Sequence, residues 1–369
     1  MSKDGRKPKF MMYLAVLPRY RSACMEQVRN MLDGDLTVVV SQAHLDQSVT
    51  TDPTQQWYGK ARMRRLLGQR IFIQTGFFRA ANAAETLVVD LNPRSLTAWT
   101  LLFVRYLPQR RRTLVWGHLN PQRGELAGTA WLRRLMRRMS DGTITYTYTD
   151  ATRAVADLPD SKVWVAPNAL YRADAIQPAI AKDDNDRVHL IYVGRFEPAK
   201  KVRLALAAFQ RLATSSDEGL RLLLIGAGTQ EADLRQFAQD LGILDLVRFI
   251  PPVTAPRELG KYYAQSFAAM SPGFAGLGLT QALGFGVPMV IARNEPHSPE
   301  IELATDSWTY WFEADNPADM ERAVRAAWAD RARLPLVKAS AHVHDHYSAD
   351  AMALGLVSAL RNERTWDAG

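Results

Sequence analysis

Residues 271–302 read SPGFAGLGLTQALGFGVPMVIARNEPHSPEIE. They follow Phe267–Met270, an apolar run of strand length, through the turn Ser271-Pro272-Gly273. Leu277–Phe285 carries its apolar residues at helical spacing and stops at Gly286-Val287-Pro288. Met289–Ala292 is a second short apolar run, and Asn294–Pro299 is a polar loop containing proline. Strand, tight turn, helix, strand and loop make half of a parallel α/β unit, and ligands of such sheets sit at the carboxyl ends of the strands. Gly273, Ala275, Gly276 and Gly278 are small enough for a bulky polar ligand to reach the backbone and the start of the helix. Free N–H groups there favour an anion. The competing reading is a Gly-rich turn that only lets the helix pack closely on the sheet.

At 369 residues the chain is too long for one ordinary core, and two domains are expected. An apolar fraction of 47% and a charged fraction of 23% suit a soluble globular enzyme and exclude a disordered chain. One cysteine, Cys24, leaves no internal disulfide and suits a cytoplasmic location. The basic N-terminus leads into an apolar run over Phe10–Leu17 that breaks at Pro18-Arg19 without a small-residue cleavage site, so a first strand is expected there rather than a signal peptide. No run reaches the length of a membrane span. A formal charge of +8 calls for an anionic partner: nucleic acid, anionic lipid or a nucleotide diphosphate.

Phe10–Leu17, Leu36–Ser41, Arg70–Thr75, Thr86–Leu91, Thr113–Gly117, Thr143–Thr147 and Lys162–Ala166 read as short strands, with helical or polar segments between most of them. That alternation predicts a parallel sheet covered on both faces. A helix is expected over about Ala23–Met31, after a loop in which Arg19 and Arg21 read either as ligands for an anionic group or as ordinary surface arginines. Leu91-Asn92-Pro93-Arg94 and Trp116-Gly117-His118 lie at strand ends, with Asn120, Pro121 and Arg123 continuing the second loop. His118 reads either as a site histidine or as a hydrogen-bonded structural imidazole.

Trp131–Met139 repeats apolar residues at 131, 132, 135, 136 and 139 and arginines at 133, 134, 137 and 138. As a helix it would lay an apolar stripe beside a cationic one, suited either to an anionic bilayer or to burial of the stripe with solvated arginines. Arg62, Arg64, Arg65 and Arg70 with Leu66 and Leu67 form a second basic apolar segment, and Arg110–Arg112 a third. His342, His344 and His346 alternate outside any confident strand, which disfavours a metal reading and suits exposed histidines beside a helix start.

The second half resembles the donor domain of glycosyltransferase family 4, which has the GT-B fold. Gly276-Leu277, Gly286-Val287-Pro288-Met289-Val290 and Pro299-Glu300-Ile301 occur in the family's order. Val193-Gly194-Arg195 with Lys200 matches the family's Val-Gly-Arg…Lys-Gly segment, with Lys201 in place of the glycine. Gly226-Ala227-Gly228 fits its strand-Gly-x-Gly turn, and Pro251–Pro256, including Pro252, the loop that flanks the nucleobase. Val163–Leu170 resembles the segment that closes the family's first domain. Both signature glutamates are missing: Gly273 stands at the first and Gln281 at the second. That departure resembles a divergent branch found in surface-polysaccharide assembly.

The resemblance implies two doubly wound Rossmann-like domains facing a central cleft. The acceptor domain would span residues 1–180, joined by the C-terminal helix from about 347 to 369, and the nucleotide-sugar domain residues 186–345. It implies a retaining, hexosyltransferase-like enzyme moving a sugar from UDP or GDP to a hydroxyl, with a lipid-linked saccharide as acceptor. Arg195 and Lys200 would hold the donor diphosphate with the helix start near Gly276, so that neither a metal ion nor another cofactor is expected. Lys200 is preferred to Lys201 by spacing. His118 and Glu300 join them as catalytic residues, and Gly226, Pro252, Gly273, Gly276, Leu277 and His297 as donor-binding ones. Location would be cytoplasmic, peripheral on the membrane's inner face through Trp131–Met139. The alternative is an inactive GT-B scaffold or regulator. Nucleic acid is set aside, because no reading helix, finger or stacking motif is present.

Overall fold

The computed structural model describes residues 7–42, 50–68, 70–106, 111–119, 129–182, 187–214 and 219–366. Asn120, Pro121, Arg123 and Arg110 lie outside the described residues. The chain divides into two compact units, residues 1–169 with 349–369, and residues 170–348.

The first unit contains β1 (Phe10–Tyr13), β2 (Leu36–Val40), β3 (Gly59–Lys60), β4 (Arg62–Leu66), β5 (Ile71–Thr75), β6 (Thr86–Asp90), β7 (Arg112–Trp116), β8 (Gly142–Thr145) and β9 (Val163–Val165). Its helices are α1 (Ser22–Met31), α2 (Phe78–Ala83), α3 (Leu96–Tyr106), α4 (Ala130–Arg138), α5 (Tyr148–Asp157) and the C-terminal helix Ala349–Arg361. Seven strands form one parallel sheet in the order β3-β2-β1-β6-β7-β8-β9. Alternation along β1 explains the burial of both faces. Phe10 and Met12 enter a core with α1 and the C-terminal helix, while Met11 and Tyr13 enter one with α3 and α4. The winding reverses at β1, which pairs with β2 on one side and β6 on the other.

One predicted strand falls elsewhere. β5 does not join the parallel sheet but pairs antiparallel with β4 in a separate ribbon. β4 reads Arg-Met-Arg-Arg-Leu and exposes alternate residues, so it cannot be covered on both faces as a central parallel strand must be.

The second unit holds β10 (His189–Val193), β11 (Arg221–Ile225), β12 (Val247–Ile250), β13 (Ser266–Ser271), β14 (Met289–Ala292) and β15 (Thr309–Phe312). They form a parallel sheet in the order β12-β11-β10-β13-β14-β15. Helices α6 (Val202–Ala213), α7 (Glu231–Asp240), α8 (Pro256–Ala264), α9 (Leu277–Gly284), α10 (Pro317–Ala329) and α11 (Val337–His346) cover it. Here the winding reverses between β10 and β13. Residues from 170 onward pack on this unit. The Ala179 N–H donates to the Phe285 carbonyl at 2.8 Å, and the buried Arg187 guanidinium donates to the carbonyls of Ala179 and Ser266 at 2.7 and 3.1 Å.

Candidate functional site

In the second unit the loops that leave β10, β11 and β13 are laced together at the carboxyl edge of the sheet. The Phe196 N–H donates to Ala227 O at 2.9 Å, and the Phe274 N–H to Ala199 O at 3.1 Å. This lacing explains the glycines. A Cβ on Gly226, whose φ is +153°, would lie 1.9 Å from the Gly194 carbonyl oxygen. A Cβ on Gly273 would lie 2.4 Å from Ala199 O, so the site of the missing first glutamate is filled by the loop that carries Lys200. Any side chain at 273 requires that loop to retreat.

The same lacing brings Lys200 to the start of α9. Its ammonium donates to Phe274 O at 2.8 Å and lies 4.6 Å from the Phe274 ring centre. Burial, and secondarily the charge of Arg195, push its pKa down to about 8. Arg195 is exposed, and its guanidinium has no hydrogen bond or ion pair to any described residue. Its carbonyl accepts from the Tyr192 hydroxyl at 2.8 Å, which fixes the backbone beneath it. Two cations at a half-buried edge are electrostatically costly until an anion neutralises both.

Lys201 stands where the family pattern has glycine, and its φ of +51° is the left-handed conformation that glycine adopts most readily. Its ammonium is engaged by Glu295 and, at 2.8 Å, by Asp315. Lys200 is therefore the lysine directed at the β13 turn.

Gly276 caps α9, and the first helical hydrogen bond runs from Leu279 N to Gly276 O at 3.0 Å. The N–H groups of Gly276, Leu277 and Gly278 precede that bond and form the positive end of the helix. The Ala275 N–H is spent on His297 Nδ1 at 3.0 Å. Nδ1 is thereby the acceptor, so the proton sits on Nε2, which donates to Ala292 O at 2.8 Å. Both ring nitrogens are engaged, and burial lowers the pKa. His297 thus braces the β13 and β14 loops rather than offering a ring nitrogen to a sugar. Glu300 is 2% exposed and accepts from the Ser298 hydroxyl, whose N–H donates to Ala275 O at 2.9 Å. Gln281 is buried, and its amide donates to the Tyr171 hydroxyl. Pro252 lies apart from this group, exposed beyond β12, two strands from β10.

The first unit assembles a second polar cluster at its own carboxyl edge. Arg21, after β1, donates to Asn168 Oδ1 at 3.1 Å and to the Tyr146 hydroxyl at 3.1 Å. Its guanidinium lies 5.1 and 4.7 Å from the Trp116 and Tyr146 ring centres. The His118 ring sits 4.7 Å from that of Tyr146. Asp90, at the end of β6, accepts from the Ala15 N–H beyond β1. Asp90 carried no sequence signal beyond being the first polar residue after Leu87-Val88-Val89.

Helix α4 departs from the reading that buries its apolar stripe and leaves its arginines solvated. Arg137 is 2% exposed and donates to Asp157 and to Ala154 O, each at 2.8 Å, while Arg133 donates to Leu91 O at 2.6 Å. Met136 and Met139 pack inward, whereas Trp131 is 62% exposed and Leu135 also faces outward. The histidines at 342, 344 and 346 lie on α11, exposed, and His344 contacts Asp345 at 2.7 Å. Among the described residues no group of three or more His, Cys, Asp or Glu could hold a metal ion. No described helix is long and apolar enough to cross a membrane.

Two parallel sheets of seven and six strands, with loops gathered at the carboxyl edge of each, define a GT-B fold of the kind seen in glycosyltransferase structures. Anabaena HepE in complex with UDP superposes with a TM-score of 0.66 over 96% of this chain and 100% of that one, at 13% identity. The lipopolysaccharide outer core galactosyltransferase WaaB superposes with a TM-score of 0.69 over 96% and 99%, at 11% identity. Residues 174–341, within the second unit, match the family model of glycosyl transferases group 1. The D-inositol 3-phosphate glycosyltransferase of Pseudarthrobacter chlorophenolicus is 32% identical over 189 residues, covering 44% of this chain and 45% of that protein. The one from Rhodococcus opacus is 29% identical over 218 residues, covering 53% and 47%. The chain thus spans less than half the length of these two relatives.

Proposed function

We propose that the protein is a retaining glycosyltransferase that moves a sugar from a UDP- or GDP-sugar to a hydroxyl acceptor without a metal ion. The observation that carries this reading is the convergence of Arg195, Lys200 and the start of α9 where the second sheet reverses its winding. As the glycosyl bond breaks, negative charge grows on the leaving diphosphate, and fixed positive groups lower that barrier. The acceptor oxygen bonds to the anomeric carbon as the carbon–phosphate-oxygen bond breaks, on the same face. A phosphate oxygen takes the acceptor's proton. This route needs no side-chain nucleophile, which fits glycine and glutamine at the two signature positions. Glu300, through Ser298, holds the β14 loop against Ala275 and orients the sugar side of the site.

For the acceptor, we favour a lipid-linked saccharide. The support is the basic N-terminal half: Lys60, Arg62, Arg64, Arg65, Arg70 and Arg79 occur between Asp52 and Glu85 without an intervening acid. With the exposed Trp131 and Leu135 they suit a cytoplasmic anionic membrane surface. The names of the matched relatives make D-inositol 3-phosphate, a small phosphorylated polyol, the second acceptor to try. Incubation with UDP- and GDP-sugars and a lipid extract tests the reading. Glycosylated product supports it, whereas donor binding without product supports an inactive scaffold.

A further inference from the structure

The first sheet reverses its winding between β1 and β6, and ligands of doubly wound sheets bind at such a reversal, beyond the carboxyl ends of the strands. Asp90 is the last residue of β6 and bridges that point, because its Oδ2 accepts from the Ala15 N–H that follows β1. Capping one N–H does not require a charge; asparagine would do it. The carboxylate is half-buried, and its other oxygen has no hydrogen bond to any described residue.

Its surroundings narrow what it receives. Arg21 is the cation whose charge acts on it and Tyr146 lies close by, while Tyr20 and His118 flank those two. Arg21 is committed to Asn168 and the Tyr146 hydroxyl, and forms no ion pair with Asp90. An anion would be repelled by the carboxylate, and a metal ion would need more ligands than the one carboxylate beside an arginine. A neutral hydroxyl fits: it donates to the carboxylate and can rest against the Tyr146 and His118 rings.

We infer that Asp90 receives a hydroxyl of a sugar or polyol acceptor and positions it at the winding reversal of the first sheet. This rests on the transferase reading above. Burial pushes the Asp90 carboxyl up to about 7, against the weaker pull of the Ala15 N–H and Arg21, as expected for a charge held short of partners until a ligand arrives.

The test uses the full chain with UDP-glucose, UDP-galactose and GDP-mannose as donor probes, and water, octyl glucoside and D-inositol 3-phosphate as acceptor probes. Asp90→Asn preserves the bond to Ala15 and removes the charge. Donor affinity should stay within about twofold of wild type, while the rate of donor consumption falls roughly 10- to 100-fold, the loss expected for one charge-assisted hydrogen bond. The wild-type rate should fall as pH drops through about 7, and the variant should lose that limb. Equal rates and equal pH profiles overturn the assignment and leave the donor reading standing. Should the variant unfold, the wild-type profile decides alone: a rate flat between about pH 6 and pH 8 contradicts the assignment. If wild type binds none of the donors, the transferase reading fails and this one with it. Donor binding without turnover on any acceptor probe supports the inactive scaffold and overturns the transferase reading and the Asp90 assignment together.

Discussion

The Lys200 ammonium donates to the Phe274 carbonyl at 2.8 Å, joining the loop after β10 to the entrance of α9. This single contact aims a half-buried cation at the place where the helix presents its free N–H groups. Lys200→Ala should weaken binding of a nucleoside diphosphate by about 10- to 100-fold, the range for a charge-assisted hydrogen bond, with little change in melting temperature. Isothermal titration with UDP and GDP measures it.

The same lysine predicts a proton signature. With its pKa lowered to about 8, close to half of the free protein carries a neutral Lys200 at pH 8. A bound diphosphate favours the charged form and raises that pKa. Binding at pH 8 should therefore take up a fraction of a proton, visible as a buffer-dependent enthalpy, and affinity should decline as pH rises further. Equal enthalpies in phosphate and Tris buffers would exclude this role for Lys200.

Gly273 is the position at which the resembled family carries a glutamate. Because its Cβ would lie 2.4 Å from the Ala199 carbonyl, Gly273→Ala should cost about 1–3 kcal/mol of stability. Gly273→Glu should lose donor binding as well, since the Lys200 loop must move to make room. A glutamate that raised activity would show that the loop yields easily and that the lacing is unimportant.

Asp90 gives a stability prediction independent of substrate. Its folded pKa of about 7 lies above the unfolded carboxylate value, so the native state binds more protons through the interval between them. Stability contributed by this group is present at acid pH and lost as pH rises through about 7. Asp90→Asn, neutral throughout, should melt at least about 2 °C higher than wild type at pH 8, with the gap closing toward pH 4. A gap that does not depend on pH would place the Asp90 carboxylate in open solvent.

The outward residues of α4 yield a test of membrane association. Trp131→Ala with Leu135→Ala should lower co-sedimentation with anionic vesicles several-fold while leaving the melting temperature within about 2 °C, because neither side chain is part of the core. Binding to neutral vesicles should be weak in either case.

The alternation of apolar runs with helical spacing made both sheets readable, because parallel strands buried on two faces are continuous apolar segments. Ile71–Thr75 misled for that reason: the run has strand character, but its partner Arg62–Leu66 is too polar for a central position. Thr309–Phe312 and the helix after it went unread, since Thr-Tyr-Trp-Phe is a four-residue edge strand without the continuous aliphatic run of the central strands. The second-unit loops were legible because their glycines are demanded by backbone approach. For His297, sequence could not show that both ring nitrogens are engaged. Charge was misleading in the same way. Arg105, Arg137 and Arg187 count toward the net positive charge, yet all three are buried and cap backbone carbonyls, so that part of the basic character is structural. Asp90 was invisible because its importance comes from the pairing of β1 with β6, a non-local fact.

The central claim is that Arg195 and Lys200 together grip a pyrophosphate at the edge of the second sheet. Calorimetric titration of wild type, Arg195→Ala and Lys200→Ala with UDP and with GDP tests it most directly. The account predicts saturable binding of at least one nucleotide to wild type, weakened at least about tenfold in each variant without loss of fold. Undiminished affinity in both variants, or no binding of either nucleotide to wild type, would contradict it.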